Sequence, residues 1–161
     1  MKVAILSDTH SQLARTAKAL ELARQKGAVL VLHCGDIEDP PAVTLFGGWQ
    51  THFVFGNCDW DKAALREAMA EIGATLHEGY GHLELEGKKL AFTHGHERSL
   101  LEDLERSGAY DYLFHGHTHV AVDRVAGPTR VINPGALHRV GVKTFVVLEP
   151  GSGRAETVVV E

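Results

Sequence analysis

KVAILSDTH, residues 2–10, joins a short apolar run to a carboxylate and an imidazole two positions apart. The same grammar returns in VLVLHCGD (29–36), THFVFGNCD (51–59), KKLAFTHGH (88–96) and YLFHGHTH (112–119). Each run reads as a buried β-strand, and each is closed by a polar turn carrying side chains of metal-ligand type. Asp8, His10, Asp36, Asn57, His94, His117 and His119 therefore all stand just beyond strands. If those strand ends share one edge, ligands spread from position 8 to position 119 meet there, a complement suited to two neighbouring metal ions.

Working outward, residues 11–26 form a predicted helix in which Leu13, Ala17, Leu20 and Ala23 recur at helical spacing before Gly27. Residues 29–33 are a second, buried strand, 41–46 a short helix, 51–55 a third strand and 61–72 a helix. This alternation implies a largely parallel sheet. The second half is richer in strands. Residues 82–85 and 89–93 flank a Glu86–Gly87–Lys88 turn, a helix over 99–106 opens on a Ser99/Glu102 capping box, and 112–115, 120–125, 129–132, 143–149 and 156–160 read as strands. Two sheets packed face to face, with helices outside, satisfy this order.

A chain of 161 residues, without linker, repeat or low-complexity tract, is expected to form one domain over 1–161. No segment approaches the roughly 18 apolar residues of a membrane span, and residues 2–6 are too short for a signal-peptide core, so no membrane partner and a cytoplasmic location are expected. The net charge of −5, with no Lys/Arg run, argues against strong binding to nucleic-acid backbones. Cys34 and Cys58 are too few for a disulfide framework and read as reduced thiols. A homo-oligomer is left open.

Taken singly, the clusters have plainer readings. Asp8 can cap the helix that follows it, Gly35–Asp36 can be an ordinary turn, and so can Gly56–Asn57. Asp36 can alternatively bridge two cations through its two oxygens, and Asn57 offers a hard carbonyl donor. The five histidines beside glycines in His94–Gly95–His96 and His115–Gly116–His117–Thr118–His119 weigh most, because imidazole is the commonest metal-binding side chain.

The ordered set Asp8-x-His10, Gly35–Asp36, Gly56–Asn57–Cys58–Asp59, His94–Gly95–His96 and Gly116–His117–Thr118–His119 resembles the calcineurin-like metallophosphoesterases, in particular their small single-domain bacterial and archaeal phosphodiesterases. Ile132–Asn133–Pro134–Gly135 extends the likeness towards the end of the chain. The resemblance implies an α/β fold, a four-layer α/β/β/α sandwich of two mixed sheets. It implies one divalent ion on Asp8, His10 and His119, a second on Asn57, His94 and His117, and Asp36 bridging both. Manganese is the first choice; iron, zinc, nickel and cobalt also suit mixed imidazole and oxygen donors. The expected reaction is attack of a metal-bridging hydroxide on a small phosphodiester, with phosphomonoesters as side substrates.

Two positions depart from that pattern. Cys58 stands where many relatives have a histidine, so transfer of a proton to the leaving oxygen falls to His96 or water, and esters with good leaving groups are the expected substrates. Ala136 stands where a serine often follows the Asn-Pro-Gly motif. Asp59 either orients its neighbours or caps the helix over 61–72; Cys58 and Arg139 are candidate substrate contacts. His33, His115 and His138 read as packed or exposed side chains. Set against an enzyme are a non-catalytic scaffold of the same fold, such as the eukaryotic retromer subunit, and a metal store. Loss of the histidine at Cys58 favours the scaffold; retention of all seven ligand types favours the enzyme.

Overall fold

The computed structural model describes residues 1–161. Its first half runs β1 (Lys2–Leu6), α1 (Leu13–Gln25), β2 (Ala28–His33), α2 (Pro40–Thr44), β3 (Gln50–Phe53), α3 (Lys62–Glu71) and β4 (Thr75–Leu76). The second half runs β5 (Tyr80–Leu85), β6 (Lys88–Thr93), α4 (Arg98–Ser107), β7 (Tyr112–Phe114), β8 (Val122–Ala126), β9 (Thr129–Asn133), β10 (Thr144–Glu149) and β11 (Arg154–Val159). The first sheet has the order β11-β10-β1-β2-β3-β4 and the second β5-β6-β7-β9-β8. In the first, β1 to β4 are parallel and β10 runs antiparallel to both its neighbours, β1 and β11; in the second, β6, β7 and β9 are parallel, with antiparallel β5 and β8 at the edges.

The period-two alternation of strand side chains builds the layers. Val3 and Ile5 of β1 join Leu30, Leu32, Phe92, Phe114 and Ile132 between the sheets, whereas Ala4 and Leu6 pack with Ala19, Leu20, Val43, Leu65 and Met69 beneath α1, α2 and α3. On the far side, Ala91, Leu113 and Val131 meet Leu104 of α4. These clusters give the α/β/β/α sandwich, and each fully buried Phe or Leu contributes about 1.5–3 kcal/mol. No helix is long and apolar enough to cross a membrane.

Several boundaries differ from the periodicity, each for a local reason. Helix α1 starts at Leu13 rather than 11, because His10 and Ser11 have φ of 43° and 53°, outside the right-handed helix. Val29 is not buried: the register steps from Lys2↔Ala28 to Val3↔Leu30, so Val29 bulges out and is 57% exposed. The capping box fails, since α4 begins at Arg98 with Glu97 as its unbonded cap and Glu102 engages Arg98 at 2.9 Å instead. Lys88 belongs to β6, leaving a two-residue Glu86–Gly87 turn with φ of 52° and 74°, the sign pattern of a type I′ hairpin. Strand β4 has only two residues and leaves no periodic trace.

Candidate metal centre

The loops after β1, β2, β3, β6 and β7 meet at the edge where the parallel strands of both sheets end, the place where open α/β sheets bind ligands. Backbone bonds lock them together: Asp8 N–H donates to Gly35 O at 3.0 Å, His10 N–H to Asp36 O at 2.9 Å and Gly116 N–H to His94 O at 2.9 Å. Five candidate ligands, Asp8, His10, Asp36, His117 and His119, have positive φ between 43° and 67°. Asp and His enter this region more readily than most residues, at a cost of about 1–2 kcal/mol each, and such conformations concentrate at functional sites. The loops also touch too closely for side chains at three glycines, Gly35, Gly56 and Gly116, the first lying against Gly56 and His94. A Cβ at Gly56 would strike Asp36, and one at Gly116 would strike Ser7 and the Asp8 carboxylate.

Two groups of donors result. In the first, His119 Nε2 lies 3.1 Å from Asp8 Oδ1 and 3.3 Å from His10 Nε2, and His10 Nε2 lies 3.5 Å from Asp36 Oδ2. In the second, Asn57 Oδ1 lies 3.0 Å from His94 Nε2 and 3.1 Å from His117 Nδ1, and His94 Nε2 lies 3.2 Å from Asp36 Oδ2. Donors about 2.1 Å from a shared ion stand roughly 3.0–3.4 Å apart at octahedral or tetrahedral angles, which both groups approach. Asp36 Oδ2 faces both groups, while its Oδ1 accepts the Cys58 N–H at 2.8 Å.

The hydrogen-bond pattern leaves a gap that a cation fits. His94 Nδ1–H donates to Cys34 O at 2.8 Å, so neutral His94 turns an Nε2 lone pair towards the oxygens of Asn57 and Asp36. His10 Nδ1–H likewise donates to Glu38 Oε1 at 2.6 Å, turning Nε2 towards Asp8 and Asp36. Acceptors thus face acceptors. Asp8 Oδ1 is buried with no hydrogen-bond partner, although its Oδ2 accepts from Ser7 Oγ at 2.6 Å and His117 N–H at 3.0 Å. An orphaned carboxylate oxygen among imidazole lone pairs fits a divalent ion.

Without an ion, protons take its place. Burial opposes charge on His10, but the neighbouring carboxylates of Asp8, Glu38 and Asp36 outweigh that and raise it to about 9. His94 is also raised, burial being outweighed by neighbouring Asp36 and Asp8, and Asp36 is held well below the carboxylate range despite burial because His94 and Cys58 N–H bond to it. Burial, then Asp36, pushes the Cys58 thiol up to about 11, leaving a protonated, weak donor.

The remaining candidates separate. The Asp59 carboxylate accepts backbone N–H bonds from Gly56 (2.7 Å), Glu38 (2.8 Å) and Asp36 (2.9 Å), which fixes the ligand loops; Asp61, not Asp59, caps α3 by accepting from Ala64 N–H at 3.1 Å. Asp8 does not cap α1, whose cap is Gln12. Cys58 and Arg139 line an open cleft of about 300 Å³ with His10, Asp36, Asn57, His117 and His119, together with Glu38, which motif reading passed over, and His138, which it set aside as exposed. His96 is not in that cleft; it lines the adjoining cavity with Lys62, Glu78 and Glu97. His33 is structural: buried and lowered to about 3 by burial, it accepts from Gly35 N–H at 3.2 Å and so donates to Thr9 Oγ1 at 3.0 Å. His115 is buried away from the cleft, its Nδ1 bonded to Gly116 O at 3.1 Å. Asn133 Nδ2 holds Gly116 O and Thr118 Oγ1, each at 3.0 Å, and Ala136 is fully buried, so this motif supports the loop of His117 and His119.

Fold and donor set together define an α/β/β/α sandwich with a metallophosphoesterase-type site. Residues 1–153 match the calcineurin-like phosphoesterase superfamily domain. The phosphodiesterase MJ0936 of Methanocaldococcus jannaschii is 31% identical over 166 residues, covering 100% of both chains, and the phosphodiesterase YfcE of Escherichia coli K12 is 30% identical over 85% of this chain and 79% of its own. The solved structure of an archaeal phosphodiesterase superposes with a TM-score of 0.93 at 30% identity, covering 99% of this chain and 100% of that one. Zinc-complexed Vps29 of Entamoeba histolytica, with a TM-score of 0.68 at 19% identity over 99% of each chain, shares the fold. The chain belongs to the calcineurin-like phosphoesterase superfamily.

Proposed function

We propose that the protein is a metal-dependent phosphodiesterase in which Asp8, His10 and His119 hold one divalent ion, Asn57, His94 and His117 a second, and Asp36 both. The observation that carries this reading is the buried, partnerless Asp8 Oδ1, with His119 Nε2 at 3.1 Å and His10 Nε2 at 3.7 Å from it. The names of MJ0936 and YfcE support the diester class. Bound there, two divalent ions supply Lewis acidity, acidify water and leave about +2 against the two ligand carboxylates, which attracts a phosphodiester anion. Asp59 and Asn133 keep the loops rigid, and Arg139 brings a guanidinium to the cleft wall for a non-bridging phosphate oxygen.

Cys58 sets the leaving-group preference. A thiol forms only weak hydrogen bonds and so stabilises a departing alkoxide poorly, and aryl diesters, whose leaving groups need no proton, are preferred. Manganese is the proposed activating ion, with iron, zinc, nickel and cobalt as substitutes; phosphomonoesters are slow substrates. The test is an assay of metal-reconstituted protein over nitrophenyl and alkyl mono- and diesters, with Asp36→Asn and His94→Ala as controls. Both substitutions are expected to lower kcat/KM by more than about a hundredfold. Ion uptake without turnover of any ester would instead favour the scaffold reading, which Cys58 alone recommends.

A further inference from the structure

Resting on the two-ion reading above, we propose that Glu38 is a positioning residue for the first ion, its carboxylate fixing His10 in the tautomer that presents Nε2 to the site. Glu38 Oε1 lies 2.6 Å from His10 Nδ1, and the Glu38 N–H is itself held by Asp59 Oδ1 at 2.8 Å. The residue has φ of 76°, a conformation uncommon outside glycine, so the chain presents this carboxylate from a constrained backbone. Its side chain is one-third exposed on the cleft wall, where an unpaired anion would repel a phosphate ester. Pairing with His10 gives that charge a function. The second group is arranged differently: His94 Nδ1 meets the neutral carbonyl of Cys34 at 2.8 Å. The two ions therefore sit behind unequal supports, one histidine oriented by an anion that raises its basicity and the other by a peptide dipole.

The experiment is a calorimetric titration of Mn²⁺ into the metal-free full chain and its Glu38→Ala and Glu38→Gln variants at one pH. Glu38→Ala is expected to weaken one equivalent about 10–100-fold and leave the other nearly unchanged. Glu38→Gln keeps an acceptor without the charge and is expected to recover part of the loss, remaining at least about threefold weaker than wild type. In the zinc-loaded protein, long-range ¹H–¹⁵N spectra should show His10 protonated at Nδ1 and metal-shifted at Nε2, with that pattern weakened in Glu38→Ala. Equal affinities and an unchanged His10 signature across the three proteins would overturn the proposal. If the alanine variant fails to fold, as judged by circular dichroism, the glutamine variant decides on the same two readouts. Uptake of a single equivalent by wild type would overturn the two-ion reading, and the response of that equivalent to Glu38→Ala would still decide the role of Glu38.

Discussion

His33 shows how one buried side chain ties stability to pH. Its proton-binding tendency is lowered to about 3 in the folded protein, against about 6.5 when unfolded, so the unfolded chain binds the extra proton between those values. Stability from this residue is complete above about pH 6.5 and declines as pH falls, by about 2 kcal/mol at pH 5. His33→Asn retains one donor and one acceptor for Thr9 and Gly35; urea titrations at pH 7 and 5 should show a shallower acid-side loss for this variant. At Cys58 the measurable quantity is a ratio. Cys58→His restores a proton donor and is expected to raise kcat/KM for alkyl relative to nitrophenyl diesters by about tenfold or more. Equal ratios in the two proteins would remove the leaving-group argument. The ligand residues were legible because Asp, His and Asn recur with glycine beyond apolar runs. Glu38 was not, since a lone acidic residue in a loop has no periodic partner and its role depends on His10, 28 positions away.

Each ligand is carried by a strand end, so the loops behave as parts of their elements. Gly116→Ala places a methyl against Ser7 and Asp8, which directly follow β1. The expected result is a loss of about 1–3 kcal/mol and of ion uptake at the Asp8 group, read by thermal melts and metal titration. Gly141→Ala, which meets nothing within 4 Å, is the matched control and should leave both unchanged. The apolar run Val3–Leu6 suffices to read β1 as a buried strand, while the division of Val3 and Ile5 from Ala4 and Leu6 between two layers emerges only in the fold. The same reasoning misplaces Val29, because a bulge breaks the period, and cannot detect Thr75–Leu76, because two residues have none. It also cannot tell that helix α4 dispenses with a side-chain cap, a matter of where the preceding loop delivers Glu97.

For the molecule as a whole, ions and protons compete for one set of lone pairs. His10 is raised to about 9 without metal, so its contribution to the metal-free protein is full below about pH 6.5 and is lost as pH rises through 9. Metal-free melting temperatures should therefore decline over that alkaline window from this residue, whereas metal-loaded protein should gain as deprotonation favours binding. At a hundredfold excess over Kd, one bound ion adds about 2.7 kcal/mol, or about 5–10 °C in Tm for a domain of this size, and chelator should reverse the gain. The sheet order has a separate consequence for biosynthesis. Strand β1 is interior, paired on one side with β2 and on the other with β10, which begins at Thr144. A nascent chain halted before Thr144 carries its first strand as an open, apolar edge, and such unfinished chains are the form in which this protein is most prone to clump.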